Sequence, residues 1–133
     1  IARAMAEAGA EIILVPSCTD SRRGYWRVRI GAQARALENQ CYVLHAPTVG
    51  DAPWSAAVDA NKGAAAIYAP PDGDFPDDGV VAIGPPDDAA IVAATLDPDK
   101  VRAVRRDGKV LNHQHWAEQA GAPKLAATLV DLT

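Results

Sequence analysis

The apolar positions of this chain change period several times along its length, and each change marks an element. Residues 1–9, "IARAMAEAG", put Ile1, Met5 and Ala8 on one helical face and end in Gly9, where a left-handed residue closes a helix. No capping residue precedes that helix, so the sequence opens within it and further residues are expected upstream. "EIILVP" (11–16) is a continuous apolar run rich in β-branched residues, which predicts a strand buried on both faces and closed by Pro16. From Tyr25 to Asn39 the period becomes helical, with Trp26, Ile30, Ala34 and Leu37 as its apolar stripe and Arg27, Arg29 and Arg35 beside it. "CYVLHA" (41–46) predicts the next strand, and "PTVGDAP" a turn. An α-β-α-β start of this spacing favours a parallel strand pair joined by a right-handed crossover.

The second half has another texture. "GAAAIYAP", "GVVAIG" and "AAIVAATLD" read as short strands separated by "PPDGDFPDD" and "PPDD", whose Pro, Asp and Gly residues form tight turns. That is a meander of hairpins. "DPDKVRAVRRDG" predicts a short helix with Asp97 as N-cap, Pro98 at its first position and Gly108 past its end. From "KVLNHQHW" to Thr133 an extended tail with one helical turn is expected.

Composition narrows the choices. A chain of 133 residues makes one domain, and although 49% of it is hydrophobic, much of that is alanine and only 5% is aromatic. Alanine buries little area, so the core depends on close backbone approach and on a neighbour. The net charge of -4 argues against nucleic acid or an anionic membrane as partner. No apolar stretch reaches the roughly 20 residues that span a bilayer, and no charged-then-apolar leader is visible, so a soluble cytoplasmic protein is expected. Cys18 and Cys41 have no paired spacing and are expected to be free thiols.

The chemistry-bearing residues are few. If the two predicted strands are parallel neighbours, Cys18 and His45 share the carboxyl edge of the sheet, where open α/β folds place ligands, and a thiol–imidazole pair with Asp20 or Asp51 as orienter becomes possible. Against it, a nucleophile turn normally has small residues on both sides so that it can tighten, whereas Cys18 has Ser17 and Thr19, and His45 alternates with Cys41 and Val43 as a core residue would. His113 and His115 could share a metal, but no third ligand accompanies them, so no metal site is assigned. "NKGAAA" (61–66) lacks the pattern of a phosphate loop, and Asp72, Asp74, Asp77 and Asp78 read as solvated hairpin tips. Cys41 reads as a small buried hydrophobe.

"AEAGAEIILVPSCTD", "GAQARALENQCYVLHAPTVG", "GAAAIYAPPDG" and "AAIVAATLDPDKVRAVR" occur in the order and spacing of the carbon-nitrogen hydrolase family, the nitrilase superfamily. The stretch Arg35-Ala36-Leu37-Glu38-Asn39-Gln40-Cys41-Tyr42-Val43 carries most of the resemblance, which covers residues 1–116; residues 117–133 form a tail outside it. The resemblance implies an αββα sandwich, here incomplete at its N-terminal side, that pairs with further copies as a homodimer or higher homo-oligomer. It implies hydrolysis of a small nitrile, amide or carbamoyl compound, with no cofactor, through a Glu-Lys-Cys set upstream of Ile1. Cys18 falls one strand too late to be that cysteine, and the chain alone is then expected to be inactive. Pro16, Ser17, Cys18 and Thr19 become pocket-wall residues, with Trp26 beneath the site. Arg35, Glu38 and Asn39 become a buried polar network holding helix to sheet. At Ala46-Pro47-Thr48 and Ala64-Ala65 the sequence departs from the commonest pattern, so the resemblance does not fix the substrate. Two other readings are a self-contained thiol hydrolase using Cys18 and His45, and a non-catalytic pairing module.

Overall fold

The computed structural model describes residues 1–119 and 127–131. Helix α1 (Ala2–Glu7) leads into strand β1 (Ile12–Ser17), helix α2 (Arg22–Asn39) and strand β2 (Tyr42–Pro47). Strands β3 (Gly50–Asp51) and β4 (Ala60–Asn61) form a small separate ribbon, and β5 (Ala66–Tyr68) and β6 (Val80–Ile83) extend the main sheet. Helix α3 (Pro98–Asp107), helix α4 (Asn112–His115) and a 3₁₀ turn (Trp116–Glu118) follow. The sheet order is β1-β2-β5-β6, with β1 and β2 parallel and the other pairs antiparallel. The expected parallel pair joined through α2 is present, and of the expected meander one hairpin forms, β5 with β6. Residues 117–119 and 127–131 of the tail are described, and the remainder of the expected tail lies outside the described residues.

Local chemistry sets the element ends. Gly9 takes φ 103°, the left-handed turn that only glycine adopts without strain, and so closes α1. Helix α2 starts at Arg22 rather than at Tyr25, because the Ser21 hydroxyl accepts a bond from the Gly24 amide at 3.2 Å and caps it. Asp97 caps α3 in the same way, accepting from Asp99 N at 2.9 Å, with Pro98 at the first position.

The expected strand at 89–97 does not form. Asp87 turns through a left-handed conformation (φ 61°) after Pro85 and Pro86, and the sheet ends at β6. The segment runs extended along the second core cluster, contributing Val92 and Leu96, while Ile91 is exposed.

One core cluster lies between α2 and the sheet: Ile13, Ala32, Ala36, Cys41, Val43, Ala66 and Tyr68. The other lies on the opposite face, where Tyr42, Ile67 and Ala69 meet Phe75, Val101 and Val104. Against the sheet α2 presents Tyr25, Ala32, Ala36 and Asn39, and its larger apolar residues point outward. Trp26 is 47% exposed, Ile30 61% and Leu37 46%. Small residues let the helix approach the sheet closely, so the bulky stripe that dominates the periodicity is the outer one. A cavity of about 300 Å³ runs beside it, lined by Ile30, Ala34, Leu37, Ala69 and Pro71 among others. The lower face of β1 is also open, with Leu14 70% exposed.

Contiguous apolar surface of this kind drives association. The 133-residue chain alone should scatter light at twice the monomer mass or more, and Ile30→Glu should shift it toward monomer. A monodisperse monomer in the unsubstituted chain would contradict this.

Candidate functional site

The parallel register sets the site. Val15 lies opposite His45 and Ser17 opposite Pro47, so β1 and β2 end together and release their loops at one edge. The Thr48 amide donates to the Ser17 carbonyl at 2.8 Å, which holds the two exits side by side.

The loop after β1 is stitched to the segment after β4. The Lys62 amide donates to the Thr19 carbonyl at 2.8 Å, and the Thr19 hydroxyl returns a bond to the Lys62 carbonyl at 3.0 Å. The Cys18 thiol donates to Asn61 Oδ1 at 2.9 Å. Asn61 is buried, and its amide nitrogen donates to the Gly50 and Val58 carbonyls, so one side chain joins the Cys18 loop to the β3–β4 ribbon. Gly63 must be glycine here, because a Cβ would stand 2.5 Å from Pro47 Cβ. Asp87 completes the edge: its carboxylate accepts from the Gly63 amide at 3.1 Å and pairs with Arg22 at 3.2 Å.

His45 sits beneath this edge on the α2 face, 2% exposed. Its Nε2 is 2.9 Å from Ser17 Oγ, and its ring stacks on Tyr25 at 5.9 Å between centroids. Tyr68 lies on the other side at 6.4 Å. His45 Nδ1 and the Tyr68 hydroxyl are buried without a hydrogen-bond partner. Burial, and then the Arg29 guanidinium, hold the His45 imidazole below its ordinary value of 6.5. The sign follows from linkage. Above that value both folded and unfolded chains carry a neutral ring, and as pH falls through it only the unfolded chain takes up the proton, so stability is lost toward acid. Burial, with Tyr25 next, pushes the Tyr68 hydroxyl well up.

Cys18 and His45 do share the sheet edge, but each is bonded to another side chain, the thiol to Asn61 and the imidazole to Ser17. Nδ1 has no partner, so neither Asp20 nor Asp51 orients the ring. Pro16 is exposed at the end of β1, opposite Ala46. Trp26 does not lie beneath the site. It stands on the outer face of α2 with the Arg29 guanidinium 4.8 Å above its ring.

The Arg35, Glu38 and Asn39 set is linked, with Asn39 Nδ2 donating to Glu38 Oε1 at 3.4 Å, but it is not buried as a whole. Arg35 and Glu38 pair with each other on the exposed side of α2, and only Asn39 is buried. Its amide nitrogen caps the Arg35 carbonyl at 2.8 Å, and its Oδ1 is unpartnered. Three positions separate Arg35 from Glu38, which keeps both on the outward face. The residue that does tie the helix end to its surroundings is Gln40, whose side chain donates to the Val104 and Val110 carbonyls.

Asp74, Asp77 and Asp78 are exposed, as hairpin tips would be. Asp72 differs: it accepts from the amides of Gly73, Lys109 and Val110. Burial raises its pKa, but those three bonds outweigh it and the net shift is downward. His113 bridges from its amide to Gln40 Oε1 and lies 5.2 Å from the Trp116 ring.

Sequence reasoning passed over Asn61, Asp87, Tyr25 and Tyr68. The tight "NKG" and "PPDD" stretches were the available signal for the first two, since they mark where chain must approach chain. Nothing local marks Tyr25 or Tyr68, whose partners lie on other elements.

A layered α/β sheet whose polar loops converge at the carboxyl edge of a parallel pair is the class this architecture defines. The family model for carbon-nitrogen hydrolase matches residues 1–106, and the chain belongs to that family. It is 40% identical over 110 residues to the probable hydrolase YhcX of Bacillus subtilis (strain 168), a match covering 83% of this chain and 21% of that protein. Its fold resembles that of Saccharomyces cerevisiae Nit3, a member of branch 10 of the nitrilase superfamily, with a TM-score of 0.62 at 24% identity. That match covers 79% of this chain and 35% of Nit3. The chain thus spans about a fifth of the length of YhcX and about a third of Nit3.

The two thiols should behave differently. Cys18 is exposed, whereas Cys41 is fully buried and burial pushes its pKa up to about 11, against a smaller opposing effect of Arg105. An aromatic disulfide reagent should release one equivalent from the native chain and a second only in denaturant. Two fast equivalents would contradict the burial of Cys41.

Proposed function

We propose that this chain forms one wall of a carbon-nitrogen hydrolase site that acts on a small nitrile, amide or carbamoyl compound. The glutamate, lysine and cysteine of the reaction are contributed by residues outside these 133, and the chain alone is inactive. The observation that carries this reading is the position of Cys18: its thiol is held by Asn61, away from the only imidazole at the edge among the described residues. On this reading the thiol lines the substrate's surroundings and does not attack. Family membership and the match to only a fifth of YhcX are consistent with a site completed elsewhere.

On this reading the thiolate attacks the nitrile or amide carbon and the lysine stabilises the negative charge that develops on the attacked group. With an amide or carbamoyl compound the glutamate takes the thiol proton and passes it to the leaving nitrogen; with a nitrile the same proton goes to the nitrogen of a thioimidate, to which water adds before ammonia leaves; a further water then releases the acyl group. Pro16, Ser17, Cys18 and Thr19 shape the substrate's surroundings. No step needs a cofactor. The open face of β1 and the outer stripe of α2 are where the rest of the enzyme and a second copy would be seated, as a homodimer or higher homo-oligomer. Among the described residues no helix is long and apolar enough to cross a membrane, and two free thiols fit a cytoplasmic setting.

The test uses the protein as its gene encodes it. Cys18→Ser should alter KM or substrate preference by about 3- to 10-fold while the acyl-enzyme still forms. Mass spectrometry of the trapped intermediate should find the adduct on a peptide outside residues 1–133. An adduct on the peptide that contains Cys18 would overturn the proposal and favour a self-contained thiol hydrolase. Turnover by the isolated chain that Cys18→Ala abolishes would do the same.

A further inference from the structure

The reaction scheme leaves the buried imidazole unused, yet His45 is the most deeply placed titratable group at the sheet edge and is bonded to a pocket-wall residue. Ser17 Oγ lies 2.9 Å from His45 Nε2 and has no other hydrogen-bond partner among the described residues. On the far side of the ring, Nδ1 is buried and unpartnered. That asymmetry selects the tautomer. A proton on Nδ1 would be a buried donor with nothing to bond, which native structures rarely tolerate, while a bare nitrogen lone pair costs less. The proton therefore sits on Nε2 and is donated to Ser17 Oγ.

The consequence falls on the serine. With one lone pair occupied from inside, the Ser17 hydroxyl keeps its own hydrogen, and Ser17 is half-exposed at the carboxyl edge. The hydroxyl can rotate, but the bond from beneath limits the directions in which that hydrogen points. The ring cannot swing away to release it. Tyr25 of α2 stacks on one face, Tyr68 of β5 lies on another side, and the charged neighbour is Arg29 of α2, which disfavours a second positive charge on the imidazole.

We propose that His45 is a positioning residue: through Nε2–H it fixes the Ser17 hydroxyl so that the serine hydrogen is offered to a carboxylate or carbonyl oxygen of the bound substrate. The role rests on the hydrolase reading above, and it adds a specificity contact to it. Ser17 is the residue that touches substrate, and His45 acts through it.

The experiment again uses the protein as its gene encodes it, and it has two readouts. Nitrogen and carbon NMR of isotope-labelled histidine should show His45 neutral at pH 7 with its proton on Nε2. A proton on Nδ1, or an imidazolium at that pH, overturns the proposal. Kinetics on pairs of small amides, matched in length and ending in either a carboxylate or a methyl group, supply the second. Ser17→Ala and His45→Leu should each raise KM for the carboxylate member by about 10-fold with little change in kcat, and the double variant should be no worse than either. His45→Gln, which places an N–H at a similar reach, should recover most of that loss. A KM for Ser17→Ala within about 2-fold of the unsubstituted protein on both members, or additive losses in the double variant, overturns the proposal. If His45→Leu does not fold, the tautomer and Ser17→Ala decide. If the unsubstituted protein turns over none of the amides and none of the matching nitriles or carbamoyl compounds, the hydrolase reading fails and this role fails with it, while the tautomer spectrum still reports whether the His45–Ser17 bond exists.

Discussion

The guanidinium of Arg105 holds the point at which helix becomes strand. It reaches from α3 to three backbone carbonyls: Gln40 at 2.9 Å, Ala10 at 2.8 Å and Asn39 at 3.3 Å. Two of these close α2 ahead of β2, and the third precedes β1. Gln40 turns through a left-handed conformation (φ 46°) that costs a non-glycine residue about 1–2 kcal/mol. Its side chain answers Arg105 by donating to the carbonyls of Val104 and Val110. Hydrogen bonds from a charged donor are worth roughly 1.5–3 kcal/mol each, enough even when half-buried to offset that strain. Burial lowers the pKa of Arg105, with Cys41 and Glu11 opposing, but an arginine remains charged. Glu11 in turn holds Arg102, so a second α3 arginine reaches the start of β1.

Fixing both strands at their amino ends decides what happens at their carboxyl ends. A slip of one residue would turn every side chain of β1 to the other face. Ser17 would then leave His45, and Cys18 would leave Asn61. The site edge is a consequence of register, and register is pinned some six residues away. On the proposed reading, this edge offers shape and hydrogen bonds to a substrate.

Elements defined by local chemistry were legible. Gly9, Asp97 with Pro98, and the β-branched run at 12–17 each state their structure within a few residues. The faces of α2 were not, because periodicity reports where large apolar side chains lie and not which side is covered. Trp26, Ile30 and Leu37 carry the loudest signal, while Ala32 and Ala36 make the contact that builds the core. The strand expected at 89–97 failed for a related reason: apolar content cannot reveal that no neighbouring strand remains to pair with. At the site, Cys18 and His45 were correctly placed at one edge, but their partners Asn61 and Ser17 depend on long-range stitching that no spacing encodes. The family motif marked the right junction and its buried Asn39, but Arg35 and Glu38 are exposed there, and Gln40 and the distant Arg105 tie the junction to α3.

Hydrogen exchange on Arg105→Ala, in the protein as its gene encodes it, tests this account most directly. Loss of the clamp removes three bonds at one junction, so peptides covering residues 12–17 and 42–47 should lose protection together, by about 100-fold, corresponding to roughly 3 kcal/mol. Lysine at position 105 should restore less than half of that in free energy, because it cannot fork to separate carbonyls. If protection falls only in α3 and the residues after it while both strands stay unchanged, Arg105 does not set the register and the account of the site edge is wrong.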